Sequence, residues 1–140
     1  MRAVRRCHWA GDDPVYIAYH DLEWGFPVHD DRRHFEMLIL EGFQAGLSWI
    51  TILKRRDAFN KAFAGWDWKK IARFTGRDVQ RLMNDSGIIR NRLKIRAAIE
   101  NARHFEEVRR EFGSFDRYIW SWVGGKPIIK GTRISVEFVV

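Results

Sequence analysis

Met37-Leu38-Ile39-Leu40 places four apolar side chains in succession within a stretch of helical spacing. Such a run carries apolar surface on every face of a helix, and a helix of that kind is buried. The rest of the chain punctuates as helix almost throughout. Asp13-Pro14 is an N-cap followed by proline at the first helical position, opening a helix to about Trp24. "GFPVHDD" reads as a loop, with Asp30 or Asp31 capping the next helix, in which Phe35, Leu38, Ile39, Gly42 and Phe43 keep the period. "QAGLS" breaks that helix, and another runs from Ser48 through the basic "KRR" at 54–56. Thr75 to Asp78 has the form of a capping box before "VQRLMND". A long helix starts near Asn91, with Ile95, Ala98, Ile99, Ala102 and Phe105 on one face. Ser114 caps "FDRYIWSWV", which ends at Gly124-Gly125. The fold class is therefore all-α, a bundle of short helices. The final "PIIKGTRISVEFVV" is β-branched and has no helical period, as suits a strand or a frayed tail. No repeat or linker divides the chain, so residues 1–140 are expected to form one domain, with 126–140 as a divergent tail.

Charge and aromatic content narrow the function. The chain carries a formal charge of +7, which favours a polyanionic partner, nucleic acid first, although a basic surface also serves solubility alone. Seven tryptophans are more than core packing usually asks for. Cys7 is the single cysteine, so an intramolecular disulfide is excluded and a cytoplasmic location fits. The N-terminal "MRAVRRCHWAGDDP" has no apolar h-region, and no apolar run approaches the ~20 residues that span a bilayer.

Two stretches carry candidate chemistry. In 82–102, two helices are joined by a short connector, Gly87-Ile88-Ile89-Arg90, where a glycine permits a sharp turn. Arg90, Arg92, Lys94 and Arg96 crowd the start of the second helix. Exposed amides beside clustered cations make a phosphate clamp. An ordinary helical hairpin with a solvated basic face accounts for the same features equally well. No row of side chains suited to base edges in the major groove accompanies it, so backbone binding outweighs sequence reading.

The second stretch is "LEGFQAGLSW". A buried carboxylate at Glu41 is costly unless paired. It reads either as one half of a structural pair with an arginine, or as a glutamate turned to solvent at a helix end. Its neighbours favour a site. Gly42 and Gly46 remove side-chain bulk, and Trp49 supplies a flat π face. Tyr16 and Tyr19 lie three apart on one helical face, with Trp24 at that helix's end. An anionic acceptor among aromatic rings suits a flat, cationic, hydrogen-bond-donating ligand. In a basic DNA-binding protein, that ligand is an extruded nucleobase.

"DPVYIAYHDLEWG", "FEMLILEGFQAGLSWITIL" and "GIIRNRLKI", in this order and spacing, resemble the 3-methyladenine DNA glycosylase I family, the constitutive bacterial Tag-type enzymes. The resemblance runs from Cys7 to about Trp122. It implies a helix-hairpin-helix fold, with Gly87 to Lys94 as a variant hairpin contributing Gly87, Ile88, Ile89, Arg90, Arg92 and Lys94 to double-stranded DNA. It implies excision of 3-methyladenine. No lysine is placed to attack the sugar, so a monofunctional enzyme without a lyase step is expected, and a monomer. Glu41 would hydrogen-bond the base's donor edge, Trp49 would stack on the flipped base, and Tyr16, Tyr19 and Trp24 would complete the pocket.

The family also carries a structural zinc held by two cysteines and two histidines. Cys7 and His20 match the first pair, while the second, near the family's C-terminus, has no counterpart in "GTRISVEFVV". The resemblance therefore implies a zinc half-site and a chain lacking roughly the last quarter of the family's domain. Two other readings follow from that shortening. One is a non-catalytic homologue that only binds DNA, and the other is a chain that does not fold stably alone.

Overall fold

In the computed structural model the described residues are 3–122, and they are all-helical. The expected helix end at Gly124-Gly125 and the tail 126–140 lie outside them. The helices are α1 (Pro14–Leu22), α2 (Asp31–Gln44), α3 (Trp49–Leu53), α4 (Arg56–Ala62), α5 (Trp68–Ile71), α6 (Gly76–Met83), α7 (Arg92–Phe112) and α8 (Phe115–Ser121). Local chemistry sets most of their starts. Asp13 accepts from the Val15 amide, Asp30 from Arg32 and Arg33, Asn91 from Lys94, and Ser114 from Arg117. The capping box of Thr75 and Asp78 is formed.

The apolar helix α2 runs through the middle and packs on α3, α7 and α8. It buries Phe35, Ile39, Leu40 and Phe43, whereas Met37 and Leu38 are half-buried. The expected face of α7 is the one it buries, from Ile95 to Phe105. Phe35 meets Phe105 edge-on at 5.1 Å, Phe43 packs on Phe59 at 4.8 Å, and Phe105 stacks on Phe115 at 4.3 Å. Each fully buried aromatic or aliphatic side chain contributes about 1.5–3 kcal/mol from area alone, so this aromatic spine dominates the stability of the fold.

The helix expected from Ser48 through 54–56 is broken instead. α3 stops at Leu53, and α4 begins at Arg56. Arg55 leaves helical geometry at φ −104°, ψ 5°. The rotation lets Ile52 and Leu53 on one side, and Phe59 and Ala62 on the other, all reach the core. The two arginines at the break are engaged elsewhere. Arg55 donates to the Ser86 carbonyl at 3.2 Å, and Arg56 bridges Glu23 and Glu36.

Helix α8 is held on α2 by carboxylates. Asp31 accepts from the Phe115 and Asp116 amides at 3.0 and 2.7 Å. Asp116 in turn pairs with His34 at 2.9 Å and His29 at 3.2 Å. Burial pushes the Asp116 carboxyl up, and hydrogen bonds from both imidazoles more than offset this, leaving it below the usual carboxylate range.

Gly87 has a different role from the one expected. Its φ is not positive. A Cβ built there would lie 2.7 Å from the Ala58 Cβ and 3.1 Å from Asp85 Oδ1, so the glycine lets the connector press onto α4. Gly87→Ala should therefore destabilise the protein by about 1–3 kcal/mol through overpacking. A urea midpoint unchanged from the parent chain would show that the connector shifts freely away from α4.

Candidate functional site

Four of the aromatic residues singled out in the sequence come together. Tyr16 and Tyr19 project from α1 with ring centroids 6.5 Å apart. Tyr19 meets Trp49, the first residue of α3, edge-on at 5.7 Å. Trp24 joins through a residue that sequence reasoning missed. Trp9, in a short 3-10 turn (His8–Ala10), packs 5.1 Å from Tyr16, 6.3 Å from Tyr19 and 5.2 Å from Trp24. Trp9 lies outside every periodic segment, so its one signal is a tryptophan in a loop next to Cys7 and His8. The tryptophans differ in burial. Trp66 is core at 1% exposure, whereas Trp9 and Trp24 are each 36% exposed within the cluster.

Glu41 lies in the last turn of α2 and is half-buried, between the buried carboxylate and the solvent-turned glutamate that the sequence left open. A carboxylate near a helix C-terminus opposes the helix dipole. Beyond it, Gln44 to Ser48 form a tight turn. Gly46 adopts φ +81°, and the Leu47 amide donates to the Gln44 carbonyl at 2.7 Å. A Cβ at Gly46 would meet nothing within 4 Å, so this glycine serves backbone conformation rather than space. The turn delivers Trp49 to α3, and Trp49 is 5% exposed. Two surface depressions lie elsewhere. One, of about 370 Å³, touches the cluster only at Tyr19, between Pro14, Glu23, Leu53 and Arg56. The other, of about 320 Å³, lies between Lys69, Arg73, Glu106 and Arg110.

The expected basic connector splits into two kinds of residue. Arg90, Arg92 and Arg96 are exposed. Ile88 is 2% exposed and anchors the connector in the core, with half-buried Ile89 packed against that core. The connector's own amides are partly used inside it: that of Gly87 donates to the Asp85 carboxylate at 2.9 Å and that of Ile88 to the Asp85 carbonyl at 3.4 Å. Lys94 is half-buried and directed inward: its Nζ donates to the Phe43 carbonyl at 2.8 Å and the Ala45 carbonyl at 2.6 Å. Desolvation pushes this ammonium below the usual lysine range.

Cys7 and His20 are also brought together. The Cys7 amide donates to His20 Nε2 at 3.2 Å, and His20 Nδ1 lies 2.9 Å from Asp21 Oδ1. Hydrogen bonds from Arg6, first, and His20 hold the Asp21 carboxyl down at about 2, so it is anionic and accepts. Nδ1 thus carries the proton and Nε2 the lone pair, the arrangement a metal-binding histidine takes from a supporting carboxylate. A structural zinc needs four ligands, and among the described residues no group of three or more His, Cys, Asp or Glu could hold a metal ion. Here the Nε2 lone pair is taken by the Cys7 amide, so the contact between the two residues is made by the Cys7 backbone.

The described residues thus form an all-helical domain with an aromatic cluster on α1, α3 and the turn at Trp9, in a basic chain. The methyladenine glycosylase family model matches residues 9–139, and this chain belongs to that family. It is 46% identical to the DNA-3-methyladenine glycosylase of Haemophilus influenzae, over 89% of this chain and 67% of that one. It is likewise 46% identical to DNA-3-methyladenine glycosylase 1 of Escherichia coli, over 94% and 71%. A crystal structure of a 3-methyladenine DNA glycosylase I superposes with a TM-score of 0.83 at 50% identity, covering 88% of this chain and 68% of that one. A variant of such an enzyme in complex with 3-methyladenine gives 0.84 at 39% identity, over 89% and 67%. Among the described residues, no helix is long and apolar enough to cross a membrane.

Proposed function

We infer that this chain is a DNA-3-methyladenine glycosylase that hydrolyses the N-glycosidic bond of 3-methyladenine in alkylated double-stranded DNA, in the cytoplasm and as a monomer. The observation that carries the reading is the joining of Trp9, Tyr16, Tyr19, Trp24 and Trp49 into one aromatic cluster, in a chain that belongs to this family.

The chemistry follows from the lesion. Methylation at N3 places positive charge on the adenine, so its glycosidic bond is already weak. Aromatic faces and a carboxylate favour that cation over neutral adenine. Reaching it requires extrusion of the nucleotide from the duplex. Glu41 would accept from the donor edge of the base, Trp49 would stack on it, and Tyr16, Tyr19 and Trp24 would line the remaining faces. As the bond breaks, its electron pair stays on the base, which leaves neutral. The C1′ cation takes up water and releases a proton, giving an abasic site.

Contact with the duplex would come from the α6–α7 connector, read as a variant helix-hairpin-helix. Exposed Arg90 and Arg92 would face phosphate. Cys7 and His20 would supply two ligands to a structural zinc, and two more would have to come from outside residues 3–122.

The test is the fate of the strand. Methylated duplex treated with the protein should stay intact at neutral pH and break at its abasic sites only under hot alkali. Strand breaks formed by the protein without alkali would mean a lyase step and overturn the monofunctional assignment.

A further inference from the structure

We propose that Lys94 is a positioning residue that fastens the turn between Glu41 and Trp49 to the DNA-facing end of α7, rather than a phosphate ligand. The proposal rests on the excision reading above. The last carbonyls of a helix have no partners within it. At the end of α2, Lys94 Nζ bonds those of Phe43 and Ala45, residues 51 and 49 positions away in the chain. A cation there also suits the negative end of the helix dipole. Two of the three ammonium protons are thereby used, on a half-buried side chain, while Arg90, Arg92 and Arg96 beside it are exposed. The same lysine's backbone amide is capped by Asn91 at 3.1 Å, so its position is set at both ends.

The consequence is geometric. Glu41 precedes the held carbonyls in the last turn of α2, and Trp49 follows them at the start of α3. The Gln44–Ser48 turn between them is the segment Lys94 grips. Docking of the α7 end on the phosphate backbone would then set where the carboxylate and the indole stand relative to the strand. Misplacement of such groups by about 1 Å can slow a reaction on the order of a hundredfold.

Lys94→Met separates this role from phosphate binding, with Arg92→Ala as the phosphate-contact control. Two quantities are read on each variant. One is the salt dependence of duplex binding, and the other is the single-turnover rate of 3-methyladenine release at saturating protein. Lys94→Met should keep the parent's salt slope and release base at least about tenfold more slowly, and Lys94→Arg should recover most of that rate. Loss of a phosphate contact would instead lower the slope by roughly 0.9 and leave the saturated rate alone. That result, or an unchanged rate with an unchanged slope, overturns the proposal. If Lys94→Met fails to fold, Lys94→Gln, with a donor but no charge, takes the same measurements. A parent protein that releases no base refutes the excision reading instead. In that event the near-ultraviolet circular dichroism of the aromatic cluster decides: a signal that Lys94→Met leaves unchanged overturns the positioning role.

Discussion

Trp49→Ala is expected to lower the unfolding free energy by about 3–5 kcal/mol, a large part of the roughly 5–15 kcal/mol that holds a domain together. Trp49 is 5% exposed and packs in the core cluster with Ile52 and Leu53, so its removal leaves a cavity that α2 and α3 cannot close without losing their own contacts. The loss is one of packing. The Trp49 indole Nε1 is buried without a hydrogen-bond partner, so the ring contributes volume and π surface but no internal hydrogen bond. Trp49→Phe should therefore keep most of the stability, at a cost closer to about 1 kcal/mol. Urea unfolding of both variants measures this. A Trp49→Ala midpoint equal to the parent's would mean that the indole is not the joint between pocket and core. Because the residue serves both, base release by Trp49→Ala should be judged only at temperatures where the variant remains folded.

Glu41→Gln should have the opposite profile, with the fold kept and the chemistry impaired. Glu41 is half-buried near the C-terminus of α2, and glutamine keeps the shape of its side chain, so no packing is lost. The carboxylate's value lies in accepting from a cationic base. A hydrogen bond to a charged group contributes about 1.5–3 kcal/mol, which corresponds to a fall in release of roughly 10- to 150-fold. Single-turnover release from methylated duplex is the readout, with circular dichroism confirming the fold. A variant as fast as the parent would remove Glu41 from the site and leave recognition to the aromatic rings.

Much of this was legible in the chain because its signals are local. Asp13, Asp30, Asn91 and Ser114 each cap a helix within three residues of themselves, and the apolar face of α7 repeats with the helical period. Tyr16 and Tyr19 could be paired by spacing alone. Features that escaped depend on distant partners. The inward turn of Lys94 is dictated by carbonyls about fifty residues away, so in sequence it is one cation among four. The closeness of Gly87 to Ala58 has no local signature, and glycine was read through its commoner use in turns. The break at Arg55 is set by core residues on both sides of it and by a contact to Ser86. Short α5, with four residues, carries too little periodicity to be read. Trp9 sits in a loop, where periodicity says nothing, and only the folded chain brings it against α1. For Glu41 the sequence left two alternatives, a buried pair or a glutamate turned to solvent at a helix end, and its half-burial at the end of α2 lies between them.

The most direct test is a time course of free bases released by the purified 140-residue chain from duplex DNA carrying radiolabelled methyl groups. The account predicts a growing peak of free 3-methyladenine. A folded protein that binds the duplex and releases no 3-methyladenine would contradict it.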